Sequence, residues 1–158
     1  MPMIDNLVGS LTGKSAEKSV MATGLNGKAR DAFGYLVRES GLSWRMNVEH
    51  VIVSGPIKLP AIECAVVGAD EKTGAVVVPN DQLTFNEIGK IAIVMFNGES
   101  VKGVYVFPVD DTVLKPKLFS RFKRDKKTGD VKISTKGLES CEENKFGMVF
   151  SDYIVKGV

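Results

Sequence analysis

The chain has 158 residues, 44% of them hydrophobic and 25% charged, with two cysteines, one histidine and a formal net charge of +2. These values fit one soluble globular domain with an ordinary core, and they exclude a disordered tail, a repetitive fibre and a mini-protein that depends on disulfides or metal. The longest apolar runs, such as Ile91 to Phe96, are strand-sized and far short of the roughly 18 residues of a bilayer-spanning helix, so no membrane partner is expected.

Residues 1–25 read as a flexible or marginally helical arm. Met3 to Leu11 is weakly amphipathic, and Thr12 to Gly27 is rich in Gly, Ser, Thr, Lys and Ala. Residues 26–158 read as a single β-rich domain with a leading helix. Asn26 is placed as a cap, Ala29, Phe33, Leu36 and Val37 fall on one helical face, and Gly41 after Ser40 marks a stop, which predicts a helix from about Lys28 to Glu39.

After Trp44 the pattern changes to short β-branched runs divided by turn residues. It predicts strands at Met46 to Val53, Ala61 to Val67, Ala75 to Val78, Lys90 to Phe96, Val101 to Phe107, Leu118 to Lys123, Val131 to Thr135 and Phe146 to Val155. Asp70 to Gly74, Asn97-Gly98 and Asp125 to Gly129 can each reverse the chain, which predicts three hairpins. Asp-x-Lys-Thr-Gly occurs at both Asp70 and Asp125 without matching flanks, and is read as shared turn chemistry rather than a duplication. Asp81 to Gly89 can hold a short helix, since Thr84 and Glu87 have capping-box spacing. The expected class is mainly β (α+β), an antiparallel sandwich or partly open barrel with one amphipathic N-terminal helix.

Four patterns resemble catalytic or metal sites, and each has a simpler explanation. Gly9 to Ser15 looks like a phosphate-binding loop, but it has three residues between its glycines where four are needed, and no buried strand leads into it. His50 is the sole histidine, so any Ser-His-Asp or Cys-His scheme must be built on it, with Cys64 or Cys141 as thiol; a half-buried strand histidine explains it as well. One histidine and two separated cysteines do not make a closed zinc site. Asp110 and Asp111, with Glu143 and Lys145, echo the acidic pair and lysine of some magnesium-dependent nucleases, yet nothing in the sequence brings them together. No enzymatic activity, cofactor or metal is therefore expected. The cysteines form no CxxC and follow no secretory leader, so they are expected as reduced thiols in the cytoplasm.

Charge is concentrated in one place. Residues 115–127 hold seven cations against one carboxylate, so the rest of the chain is net acidic. Lys115, Lys117, Phe119, Arg121, Phe122, Lys123, Arg124, Lys126 and Lys127, together with Lys132 across the Asp125 turn, form a basic hairpin with interleaved aromatic rings. Cations that release counterions from phosphates, beside a ring that can stack on a base, point to a polyanion and foremost a nucleic acid. Solvated lysines that protect a sheet edge are the simpler reading of the same residues. The alternative function is a self-assembling structural subunit, of the kind found in viral or secretion-type assemblies, that uses residues 1–23 as an arm to form a homo-oligomer.

Overall fold

The structure, a computed structural model, describes residues 14–56 and 58–154. Helix α1 (Lys14–Glu39) starts well before the expected Lys28, so part of the predicted arm is helical; residues 1–13, including most of the phosphate-loop-like pattern, lie outside the described residues. Once a helix is nucleated, each further residue adds a hydrogen bond for one pair of dihedrals, which carries α1 through Gly24 and Gly27 despite their poor propensity. Asn26 is therefore interior rather than a cap. Its Oδ1 accepts a hydrogen bond from the backbone N–H of Gly68, 3.1 Å away. The C-terminus follows the sequence reading: Gly41 has φ 79°, its N–H donates to Arg38 O, and Leu42 N–H donates to Val37 O, which satisfies two of the last carbonyls.

The strands are β1 (Ser43–Asn47), β2 (His50–Ser54), β3 (Ile62–Ala69), β4 (Ala75–Val78), β5 (Ile88–Asn97), β6 (Ser100–Pro108), β7 (Phe122–Arg124) and β8 (Val131–Ser134). They form two open sheets, β1-β2-β3-β5-β6 and β4-β8-β7. The mainly β class with an N-terminal helix is thus as expected, and the sheets do not close into a barrel. All pairs are antiparallel except β3 with β5, which run parallel in register from Ile62↔Ile88 to Ala69↔Met95.

Two of the three expected hairpins form, β5–β6 through Gly98 (φ 63°) and β7–β8 through Gly129 (φ 79°). The Asp70–Gly74 turn does something else. Asp70 accepts from Lys72 N and Thr73 Oγ1, as an Asx turn should, but the chain then enters the second sheet, where β4 pairs with β8. It returns to the first sheet beside β3, so that a hairpin signal produced a crossover. A hairpin absent from the expectation splits Met46–Val53, because Val48 adopts φ 57° and Asn47 pairs with His50. A β-branched residue rarely accepts that conformation, and no glycine marks the turn.

The layers follow from which faces are apolar. One face of the large sheet packs Val51, Val53, Cys64, Val66, Ala92, Val94, Val104 and Val106 beneath Ala29, Phe33 and Val37 of α1. Its other face packs Ala65, Val67, Ile91, Ile93 and Phe107 against Val76, Val78, Phe122, Val131 and Ile133 of the small sheet. β3 is therefore buried along its whole length, as its apolar run, interrupted only by Glu63, suits. Beyond Lys145 the chain is helical rather than extended: α3 (Phe146–Val149) and the following turns bury Phe146, Phe150 and Tyr153 on the α1 side. The segment after Asn80–Gln82, a single 3₁₀ turn, is bends instead of the expected short helix.

Candidate polyanion-binding face

The basic segment begins after α2 (Asp111–Leu114), whose first turn is capped by Asp110 accepting from Thr112 N. Strand pairing starts only at Phe122, so residues 118–121 are loop rather than the expected strand. Phe119 has φ 67° and is 93% exposed; Leu118 beside it is 83% exposed. Phe122 is 5% exposed and packs edge-on against Phe107, with ring centroids 5.4 Å apart. Of the two predicted rings, one is core and the other stands in water.

The cations divide in the same way. Arg124 donates to Gly129 O, Leu114 O and Asn80 Oδ1, which ties the hairpin tip to α2 and to the start of the 3₁₀ turn. Arg121 donates from Nη1 to Ser134 O and Lys136 O, and its Nη2 lies 3.5 Å from Cys141 Sγ. Both guanidinium groups are braces within the small sheet. Lys115, Lys117, Lys123, Lys126, Lys127 and Lys132 are exposed, and among the described residues none of them takes part in an ion pair.

Lys123 and Lys132 are direct cross-strand partners on β7 and β8. Side-chain alternation puts them on the outer face, since their neighbours Phe122, Val131 and Ile133 point into the core. Cβ atoms of opposed residues stand about 5 Å apart, and like charges at that spacing destabilise the pair. The outer face forms the floor of an open groove of about 600 Å³, lined by Ala75, Phe119, Arg121, Lys123, Lys132 and Ser134 among others, with no carboxylate. Asp125 and Asp130 line an adjoining hollow with the same two lysines at the hairpin end, where Thr128 N–H and Lys127 N–H hold the Asp125 carboxyl below the usual range.

His50 is buried rather than half-buried. Its Nδ1 is 2.6 Å from Oε2 of Glu63, its Nε2 is 2.8 Å from Gln82 O, and its ring stacks on Phe85 at 4.7 Å. Glu63 also accepts from Asn86 N and Glu87 N on Oε1 and from Asn47 Nδ2 on Oε2. Gln82 O can only accept, so Nε2 donates to it, and Nδ1 faces a carboxyl that three further donors already hold. The result is a buried, hydrogen-bonded histidine–carboxyl pair. Every polar atom is used in joining β2, β3 and the 80–87 loop, which leaves no free lone pair for general-base work. The Glu63 partner was not anticipated: a charged residue within an apolar strand run was the available signal.

The remaining candidates are separate. Lys145 pairs with Glu142 at 3.0 Å, and Asp110 is spent as a cap. Among the described residues, no three His, Cys, Asp or Glu side chains form a group that could hold a metal ion. Both cysteines are free; Cys64 is buried, and burial pushes its thiol up to about 12. No described helix is long and apolar enough to cross a membrane. No family model, curated protein or solved structure matches the chain.

Proposed function

We propose that the protein is a non-enzymatic binding module that holds a polyanion, foremost a nucleic acid, on the outer face of β4-β8-β7. The observation that carries this reading is the exposed Lys123–Lys132 pair: two ammonium groups in register that take part in no ion pair among the described residues, beside an exposed aromatic ring. An anion that bridges them relieves a repulsion built into the free protein. Lys117, Lys126 and Lys127 extend the positive field from the same hairpin and its leading loop. Phe122 and Arg124 belong to the scaffold of this reading, since one is core and the other has its guanidinium spent on the protein itself.

The test is fluorescence-anisotropy titration of labelled oligonucleotides at low and near-physiological salt, with the mass determined by light scattering. Binding that weakens steeply with salt, and is lost in Lys123→Glu/Lys132→Glu, is the expected result. No binding, with a mass several times the 17.1 kDa chain, overturns it in favour of the assembling subunit.

A further inference from the structure

We infer that the nucleic acid taken by this face is single-stranded, with an unpaired base stacked on Phe119. The inference rests on the polyanion reading and adds what that reading leaves open. Phe119 contributes nothing to the core, being 93% exposed, and it occupies the left-handed region at φ 67°, where a bulky side chain is an outlier. Strain of this kind persists where the surrounding structure imposes it and is concentrated at binding sites. Here the loop is anchored on one side by α2 and on the other by Ser120, whose Oγ donates to Phe122 O.

The ring lines the same groove as Lys123 and Lys132. A stacking surface beside two cations on an open sheet face is what a single strand uses, because every unpaired base offers a π-face while its backbone follows the positive charge. A duplex hides those faces in its own stack and shows only phosphates and groove edges, so it can satisfy the lysines but not the ring. Exposed Leu118 and Phe119 among lysines also resemble a loop that dips into an anionic lipid surface. The position of Phe119 as a lining residue of the lysine groove favours the strand.

The experiment titrates the full chain into a labelled dT oligomer, a hairpin duplex of equal length, and vesicles of phosphatidylserine and phosphatidylcholine. The dT oligomer is expected to bind at least tenfold more tightly than the duplex. Phe119→Ala, at a site so exposed that the fold is kept, is expected to weaken dT binding by roughly 5- to 100-fold while duplex binding stays unchanged. Phe119→Trp should restore affinity and show quenching of the new indole on binding. Equal affinity for dT and duplex, or an unchanged dT affinity in Phe119→Ala, overturns the single-strand inference and leaves the polyanion reading standing. Absence of any oligonucleotide binding at low salt removes both, and vesicle binding lost in Phe119→Ala then assigns the loop to a lipid surface.

Discussion

His50 Nδ1 and Glu63 Oε2 stand 2.6 Å apart inside the protein, His50 on β2 and Glu63 on the neighbouring β3, each with its remaining polar atoms satisfied. A buried polar pair contributes little net stability relative to apolar residues, but removal of one partner leaves the other buried and unsatisfied. His50→Ala is therefore expected to cost about 3–5 kcal/mol, which lowers the melting temperature by roughly 10 °C for a chain of this size. His50→Ala/Glu63→Leu should recover a large part of that loss. A double variant no more stable than His50→Ala alone, in thermal melts followed by circular dichroism, contradicts this account of the pair.

The same pair gives a pH dependence with a defined sign. Burial pushes the Glu63 carboxyl up, but the His50 hydrogen bond and the Asn86 and Glu87 backbone donors outweigh it, so its pKa lies below the ordinary value of 4.5. A carboxyl depressed in the folded state contributes stability that is present above the unfolded value and is lost as pH falls through the folded one. Stability measured by urea denaturation should thus be flat in this contribution above about pH 5.5 and fall below pH 4.5. Glu63→Gln should lose that acid-limb slope.

Lys123→Glu separates stability from binding. The substitution turns a like-charge cross-strand pair into an opposite-charge pair with Lys132, worth about 0.2–1 kcal/mol in favour of the fold. Oligonucleotide binding should weaken in the same variant, with a shallower dependence on salt. A melt that is unchanged or raised, combined with weaker anisotropy binding, is the expected pair of results. A lower melting temperature together with unchanged binding sinks the assignment of this face.

Two glycines of unlike surroundings test the packing of α1 on β3. A Cβ at Gly68 would lie 2.6 Å from Leu25 O and 2.9 Å from Leu25 Cβ, and the backbone of α1 cannot move aside without disturbing its contact with the sheet. Gly68→Ala should destabilise by about 1–3 kcal/mol, the usual range for overpacking. At Gly27, inside the same helix, nothing lies within 4 Å, so Gly27→Ala should stabilise by about 0.5–1 kcal/mol. Opposite signs in parallel chemical denaturations are the result that supports this packing.

Cys64 should resist thiol reagents in the native state. It is fully buried on β3, and burial raises its pKa to about 12, so neither access nor thiolate is provided near neutral pH. Mass spectrometry after a maleimide pulse should find Cys64 modified only once denaturant unfolds the chain. Rapid labelling in buffer contradicts its placement.

Local chemistry was readable wherever it is settled by neighbours in sequence. The Gly41 stop, the Gly98 and Gly129 turns, the doubled Asx turn and the concentration of lysines at 115–127 all stand where the sequence placed them. Long-range pairing was not readable. The Asp70–Gly74 turn reverses the chain in either sheet, and only the burial of Val76 and Val78 against Phe107 and Ile133 sends β4 to the second sheet and brings β5 back parallel to β3. Phe146, Phe150 and Tyr153 have the i, i+4, i+7 spacing of a helix face, but the apolar run around them reads equally well as a strand until α1 and Phe33 supply the surface they pack on. The site divides along the same line. Its charge was in the sequence, because charge is a property of composition, whereas the exposure of Phe119, the burial of Phe122 and the opposition of Lys123 to Lys132 depend on strand register and on which face meets the core, and those are decided by the whole fold.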